Sequence, residues 1–137
     1  MNTWNAVRAS DGSALISSYV SSDIEDNEIG FTLSSEIGIA ETIPMLDSNG
    51  YVTSVKIVLQ QNANWSIGAS AGAYDVQTVI LHELGHAYGI AHCHEGSGSC
   101  GVIGCPNNVM SPTISKNMTR RVLQTYDIIN YQYIYVS

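Results

Sequence analysis

Three observations predict an α+β fold for this 137-residue chain. Residues 52–59 alternate as a strand does, with Val55, Ile57 and Leu59 on one face, directly after a turn signal at Asp47-Ser48-Asn49-Gly50. Val76, Val79, Ile80, Leu84 and Ala87 recur at helical spacing, and Ile128, Tyr131 and Ile134 follow at three-residue steps near the end of the chain. Strand signals fill the first half and helical ones follow, so a small sheet precedes two longer helices.

The elements can be taken in chain order. Residues 2–9 read as a short helix broken by the turn Ser10-Asp11-Gly12-Ser13, and residues 14–20 and 29–33 read as strands. The acidic run Asp23-Ile24-Glu25-Asp26-Asn27-Glu28 between them lacks the spacing of a calcium loop and reads as a solvated turn. Residues 38–43 form an edge strand expected to end at Pro44, because proline removes a ladder donor. After the glycine-rich stretch 68–72, Asp75 is placed to cap the helix that begins at Val76. Residues 125–135 form the last helix, with Asp127 in its first turn, where a carboxylate suits the helix dipole, and its aromatic residues are read as core.

Composition excludes several partners. Twelve acids against five bases give a formal charge of -7, and Arg8, Lys56, Lys116, Arg120 and Arg121 form no stripe able to follow a phosphate backbone, so no nucleic-acid partner is expected. No apolar run reaches the roughly 18–20 residues of a membrane span, so no membrane partner is expected either. The first residues lack a signal-peptide pattern, which says nothing of compartment because such segments are removed. An apolar share of 45% is enough for one domain with its own core, taken as residues 1–137, with an upper part of about 1–91 and a lower part of about 92–137.

Chemistry is concentrated in His82-Glu83-Leu84-Gly85-His86-Ala87-Tyr88-Gly89-Ile90-Ala91-His92. At about 100° per residue, His82 and His86 lie one turn plus roughly 40° apart, so both rings leave the same helix face. On a continuing helix His92 would sit about 240° further round, so the chain must leave the helix first, and Gly89 allows it by adopting the left-handed conformation. Three histidine nitrogens leave a tetrahedral zinc one open position, the arrangement of a catalytic site rather than a closed structural one. Glu83 adjoins His82 and can take a proton from water activated by that zinc.

These residues resemble the signature of the metzincin zinc metallopeptidases, His-Glu-x-x-His-x-x-Gly-x-x-His. The resemblance implies His82, His86 and His92 as zinc ligands, Glu83 as catalytic base and a metzincin-like fold: a small, twisted, mostly parallel sheet with an edge strand for substrate, an active-site helix and a C-terminal helix. Asn108-Val109-Met110-Ser111-Pro112 looks like the Met-turn of that group, with Met110 eighteen residues after His92, and its nearby proline is similar to the matrixin branch. The resemblance further implies an endopeptidase that binds extended peptide along Gly38, Ile39 and Ala40 and receives a side chain beside Pro112, Thr113 and Ile114. It implies a secreted, monomeric enzyme acting on protein or peptide substrates. The rival reading is a metzincin-like binding module without turnover, against which the intact Glu83 speaks; a hydrolase of small amides, with a closed pocket, stands third.

Where many matrixins carry structural zinc and calcium ligands, this chain reads Ile57-Val58-Leu59-Gln60 and Ala63, so no structural metal is expected beyond the single catalytic zinc. Of the two adjacent aspartates common in the family's last helix, only the second has a counterpart, Asp127, whose implied role is to brace the Met-turn. The family's strand before the first helix has no counterpart, which implies a truncated or rearranged N-terminus. Cys93, Cys100 and Cys105 lie within thirteen residues and leave at least one thiol unpaired. A local disulfide, inert buried thiols and a second metal site with His94 are the readings open to them. Two tripeptides, Asn64-Trp65-Ser66 and Asn117-Met118-Thr119, match the N-glycosylation acceptor pattern, a short pattern that arises often by chance.

Overall fold

The computed structural model describes residues 27–93 and 105–135. The expected helix 2–9, the turn after it, the strand 14–20, most of the acidic run, His94 and Cys100 lie outside these residues. Strands β1 (Glu28–Thr32), β2 (Ala40–Leu46) and β3 (Val52–Gln60) form one sheet in the order β1-β3-β2. β1 runs parallel to β3 and β2 antiparallel to it, so the described sheet is mixed. A second, two-stranded sheet pairs β4 (Trp65–Ser66) with β5 (Tyr74–Asp75), and the helices are α1 (Val76–Ala87) and α2 (Thr125–Tyr135).

Among the described residues β2 lies at the sheet edge, as its sequence implied, but it does not stop at Pro44. It continues to Leu46, with Pro44 opposite Val55. An edge strand has one side without a ladder partner, and a proline there costs no hydrogen bond. The turn into β3 closes as Asp47 accepts the main-chain N–H groups of Asn49 (2.8 Å) and Tyr51 (2.9 Å), while Gly50 takes φ +85°. Alternation then buries Ile57 and Leu59 on the face that meets α1. Removing a side chain such as Leu59 from water contributes roughly 2 kcal/mol.

α1 is covered on two sides, which the apolar spacing alone did not reveal. Val79, with Val76 and Ile80, packs on Ile57 and Leu59 of the sheet. Leu81, outside the expected stripe, packs with Ile90, Cys93, Cys105, Val109, Met110 and Tyr131 on the other side, and Leu84 touches both clusters. Thr78, His82, Glu83 and Gly85 are buried as well, because the helix runs between two layers rather than over one. In α2 the buried positions are Asp127, Asn130 and Tyr131. Of its aromatic residues, read as core, Tyr131 is buried, but Tyr133 is 69% and Tyr135 39% exposed, since among the described residues only one narrow face of this helix is covered.

Asp75 caps α1 as the sequence predicted, accepting the Thr78 N–H at 3.0 Å. The same carboxylate accepts from Thr78 Oγ1 (2.6 Å), Gly68 N (2.8 Å) and Arg121 Nε (2.9 Å), and so ties the start of α1 to the segment entering α2. The Arg121 guanidinium is the main cause that holds the Asp75 carboxyl far below its ordinary 3.8, against the opposing effect of burial. A depressed folded-state pKa means the ionised form stabilises the fold above about pH 4 and that this contribution fades as pH falls below it. Asp75→Ala is therefore expected to lose at least the cap, about 1 kcal/mol. The gap from the parent in urea melts should be full at neutral pH and narrow under acid; a gap that widens there would overturn the assignment.

Candidate metal centre and active site

α1 ends in a defined way. Gly89 takes φ +78°, its N–H donates to His86 O at 2.8 Å, and the Ile90 N–H reaches back to Gly85 O at 3.0 Å. This pair of bonds is a Schellman cap, completed by Ile90 and Leu84 in the same apolar cluster. The cap turns the chain so that His92 comes back to the rings of His82 and His86. Ring centroids stand 4.7 Å apart for His82 and His86, 5.4 Å for His82 and His92, and 4.8 Å for His86 and His92.

The protonation pattern of the rings suits a metal. His82 Nδ1 donates to Val109 O at 2.7 Å and His86 Nδ1 to Ile90 O at 2.8 Å. A carbonyl oxygen can only accept, so in each ring Nδ1 carries a proton, and a neutral ring so oriented presents its Nε2 lone pair. The two Nε2 atoms face each other at 3.1 Å. Lone pairs so placed repel unless a cation lies between them, and burial holds His82 down to about 4, which leaves its ring neutral at physiological pH. Zn–N bonds of about 2.0–2.1 Å in a tetrahedral site set neighbouring nitrogens about 3.3 Å apart, close to the spacing seen. One nitrogen from each of His82, His86 and His92 lies within 4.8 Å of the others, so the cluster fits a zinc ion held by three imidazoles.

The loop beneath is braced from α2. Asp127, fully buried, accepts Val109 N (2.9 Å), Met110 N (2.9 Å) and Gln124 N (2.8 Å). Burial pushes its carboxyl up and the three N–H donors oppose that shift. Val109, held this way, offers its carbonyl to His82, while Met110 O receives the Cys93 N–H at 2.9 Å. Met110 itself is fully buried among Leu81, Ile90 and Cys93. Cys105 is disulfide-bonded to a partner outside the described residues, and Cys93 is a free, buried thiol.

A cleft of about 490 Å³ opens over the histidines. Ile39, Ala40, Glu41 and Thr42 line it from the β2 side, His82, Glu83, His86 and His92 from below, and Pro112 and Ile114 from the far side. Gly38 and Thr113, also expected to meet substrate, are not among the lining residues. Glu83 is 5% exposed, and burial raises its pKa above the ordinary carboxylate value. Glu41 and Thr42 lie in the edge strand expected to pair with substrate, but the sequence reading assigned neither a contact with the base. Thr42 donates from Oγ1 to Glu83 Oε2 at 2.6 Å and lies 2.9 Å from Glu83 O, and Glu41 adds a second carboxylate. Strand alternation signalled that Thr42 shares a face with Ala40, but nothing in the chain pattern paired it with a residue 41 positions away.

An α+β domain with three converging histidines and a buried glutamate in one cleft is the architecture of a metallopeptidase-type protein. The chain matches the matrixin family model over residues 43–136, and it belongs to that family. No curated protein and no solved structure matches it. Membership implies zinc as the metal and protein or peptide as substrate. No helix among the described residues is long and apolar enough to cross a membrane.

Proposed function

We propose that the protein is a zinc-dependent endopeptidase in which Glu83 is the general base and acid. The observation that carries this reading is the opening of three converging imidazoles and the Glu83 carboxylate into a single cleft beside an edge strand. His82, His86 and His92 would hold the metal, with His82 and His86 oriented by the carbonyls of Val109 and Ile90. Zinc bound there supplies a Lewis acid that acidifies water and polarises a peptide carbonyl. Glu83 accepts the proton of the attacking water and returns it to the leaving amine, a task suited to a carboxylate whose burial raises its pKa toward neutrality.

Substrate adds as an extended strand along Gly38, Ile39 and Ala40, using the main-chain groups that an edge strand leaves unpaired. Pro112, Thr113 and Ile114 flank the side chain that follows the cut, and Met110 belongs to the Met-turn beneath the metal. We read residues 1–137 as one domain, with an upper part of about 1–91 and a lower part of about 92–137, and the described strands as part of a twisted, mostly parallel metzincin-like sheet with β2 as its antiparallel edge. The protein is read as monomeric and secreted, as the family implies.

Peptide-library cleavage with and without a chelator tests the proposal. Activity is expected to vanish on chelation and to return with one equivalent of zinc. Substoichiometric zinc in the purified protein, together with indifference to the chelator, would sink the enzyme reading.

A further inference from the structure

We infer that Thr42 is a positioning residue that locks the Glu83 carboxylate to the substrate-binding edge strand, an inference that rests on the endopeptidase reading above. β2 and α1 are separate elements, and the alignment of the base with a peptide lying on β2 depends on what joins them. Thr42 joins them directly: its hydroxyl lies 2.6 Å from Glu83 Oε2 and 2.9 Å from the main-chain oxygen of the same residue. The first distance is in the range of a hydroxyl donating to a charged carboxylate, about 2.5–2.7 Å.

Two consequences follow for the site. Oε2 is committed to Thr42, so Oε1 is the oxygen assigned to the proton of the attacking water. The second contact, to the Glu83 carbonyl, keeps the hydroxyl beside the α1 backbone as well as the side chain, so the reach of the carboxylate into the cleft is set by the position of β2. Thr42 is half-buried and lines the cleft at the sheet edge. Substrate does not need to touch Thr42 for the residue to matter, because misplacing a catalytic group by about 1 Å can cost on the order of 100-fold in rate.

The test compares T42V, which keeps the branched shape without the hydroxyl, with T42S, which keeps the hydroxyl. T42A serves as a second hydroxyl-free variant should valine disturb folding. Steady-state hydrolysis of the best library peptide is measured with zinc content and melting temperature alongside. In folded, zinc-replete T42V or T42A, kcat is expected to fall by about 10- to 100-fold with KM within about twofold, whereas T42S stays within about threefold of the parent. Parental kcat in the hydroxyl-free variants, or a T42S as slow as they are, overturns the inference while leaving the endopeptidase reading intact. A parent protein that binds zinc and cleaves nothing overturns both.

Discussion

Glu83→Ala is expected to reduce kcat/KM by about 10²- to 10⁴-fold, the range of a positioned general acid and base. Zinc content should be unchanged, because the carboxylate is absent from the converging nitrogen set. The two readouts separate the candidate roles of the residue. A variant that loses metal together with activity would make Glu83 a ligand or a structural support, and one that keeps parental turnover would remove it from the chemistry. Glu83→Gln sharpens the comparison, since an amide keeps the shape and the contact with Thr42 but accepts no proton at working pH. Both variants should therefore be slow to a similar degree.

Asp127→Ala is expected to produce the largest loss of stability, about 3–5 kcal/mol. Its two oxygens serve three main-chain N–H groups in a fully buried place, and alanine would leave the donors of Val109, Met110 and Gln124 without their partner. The damage should extend to the metal. Val109, whose N–H Asp127 holds, is the residue whose carbonyl orients His82, and loss of such an outer partner typically weakens metal affinity by about 10- to 100-fold. Urea unfolding and competition with a chromophoric chelator measure the two effects. A variant as stable as the parent, with undiminished zinc affinity, would show that the loop at Val109 and Met110 holds its shape without help from α2.

Much of the metal centre is legible in the spacing of His82, His86 and Gly89 alone. Helical geometry forces His82 and His86 onto one face, and a glycine three residues beyond His86 is a recognisable exit, which the Schellman cap bears out. Asp75 is legible as a cap for the same reason, since local chemistry within four residues decides it. Pro44 does not end its strand, because the effect of a proline depends on whether a neighbour needs its missing N–H, and an edge position removes that need. Tyr133 and Tyr135 fall outside the core and Leu81 inside it, against the sequence reading, because periodicity and composition report that a face is apolar without reporting how many partners surround the helix.

Sequence alone determined which three histidines could share a metal, the class of chemistry they suit, and the main elements that carry them, because each depends on residues within one or two helical turns. The family resemblance already implied that Asp127 braces the loop at Val109 and Met110, and only the tertiary structure decided which main-chain carbonyls orient His82 and His86 and that Thr42 meets Glu83 across 41 residues of chain. Those contacts join segments far apart in sequence, and backbone carbonyls and amides are the same at every position. Their roles come from where folding brings them, which no local pattern of side chains encodes.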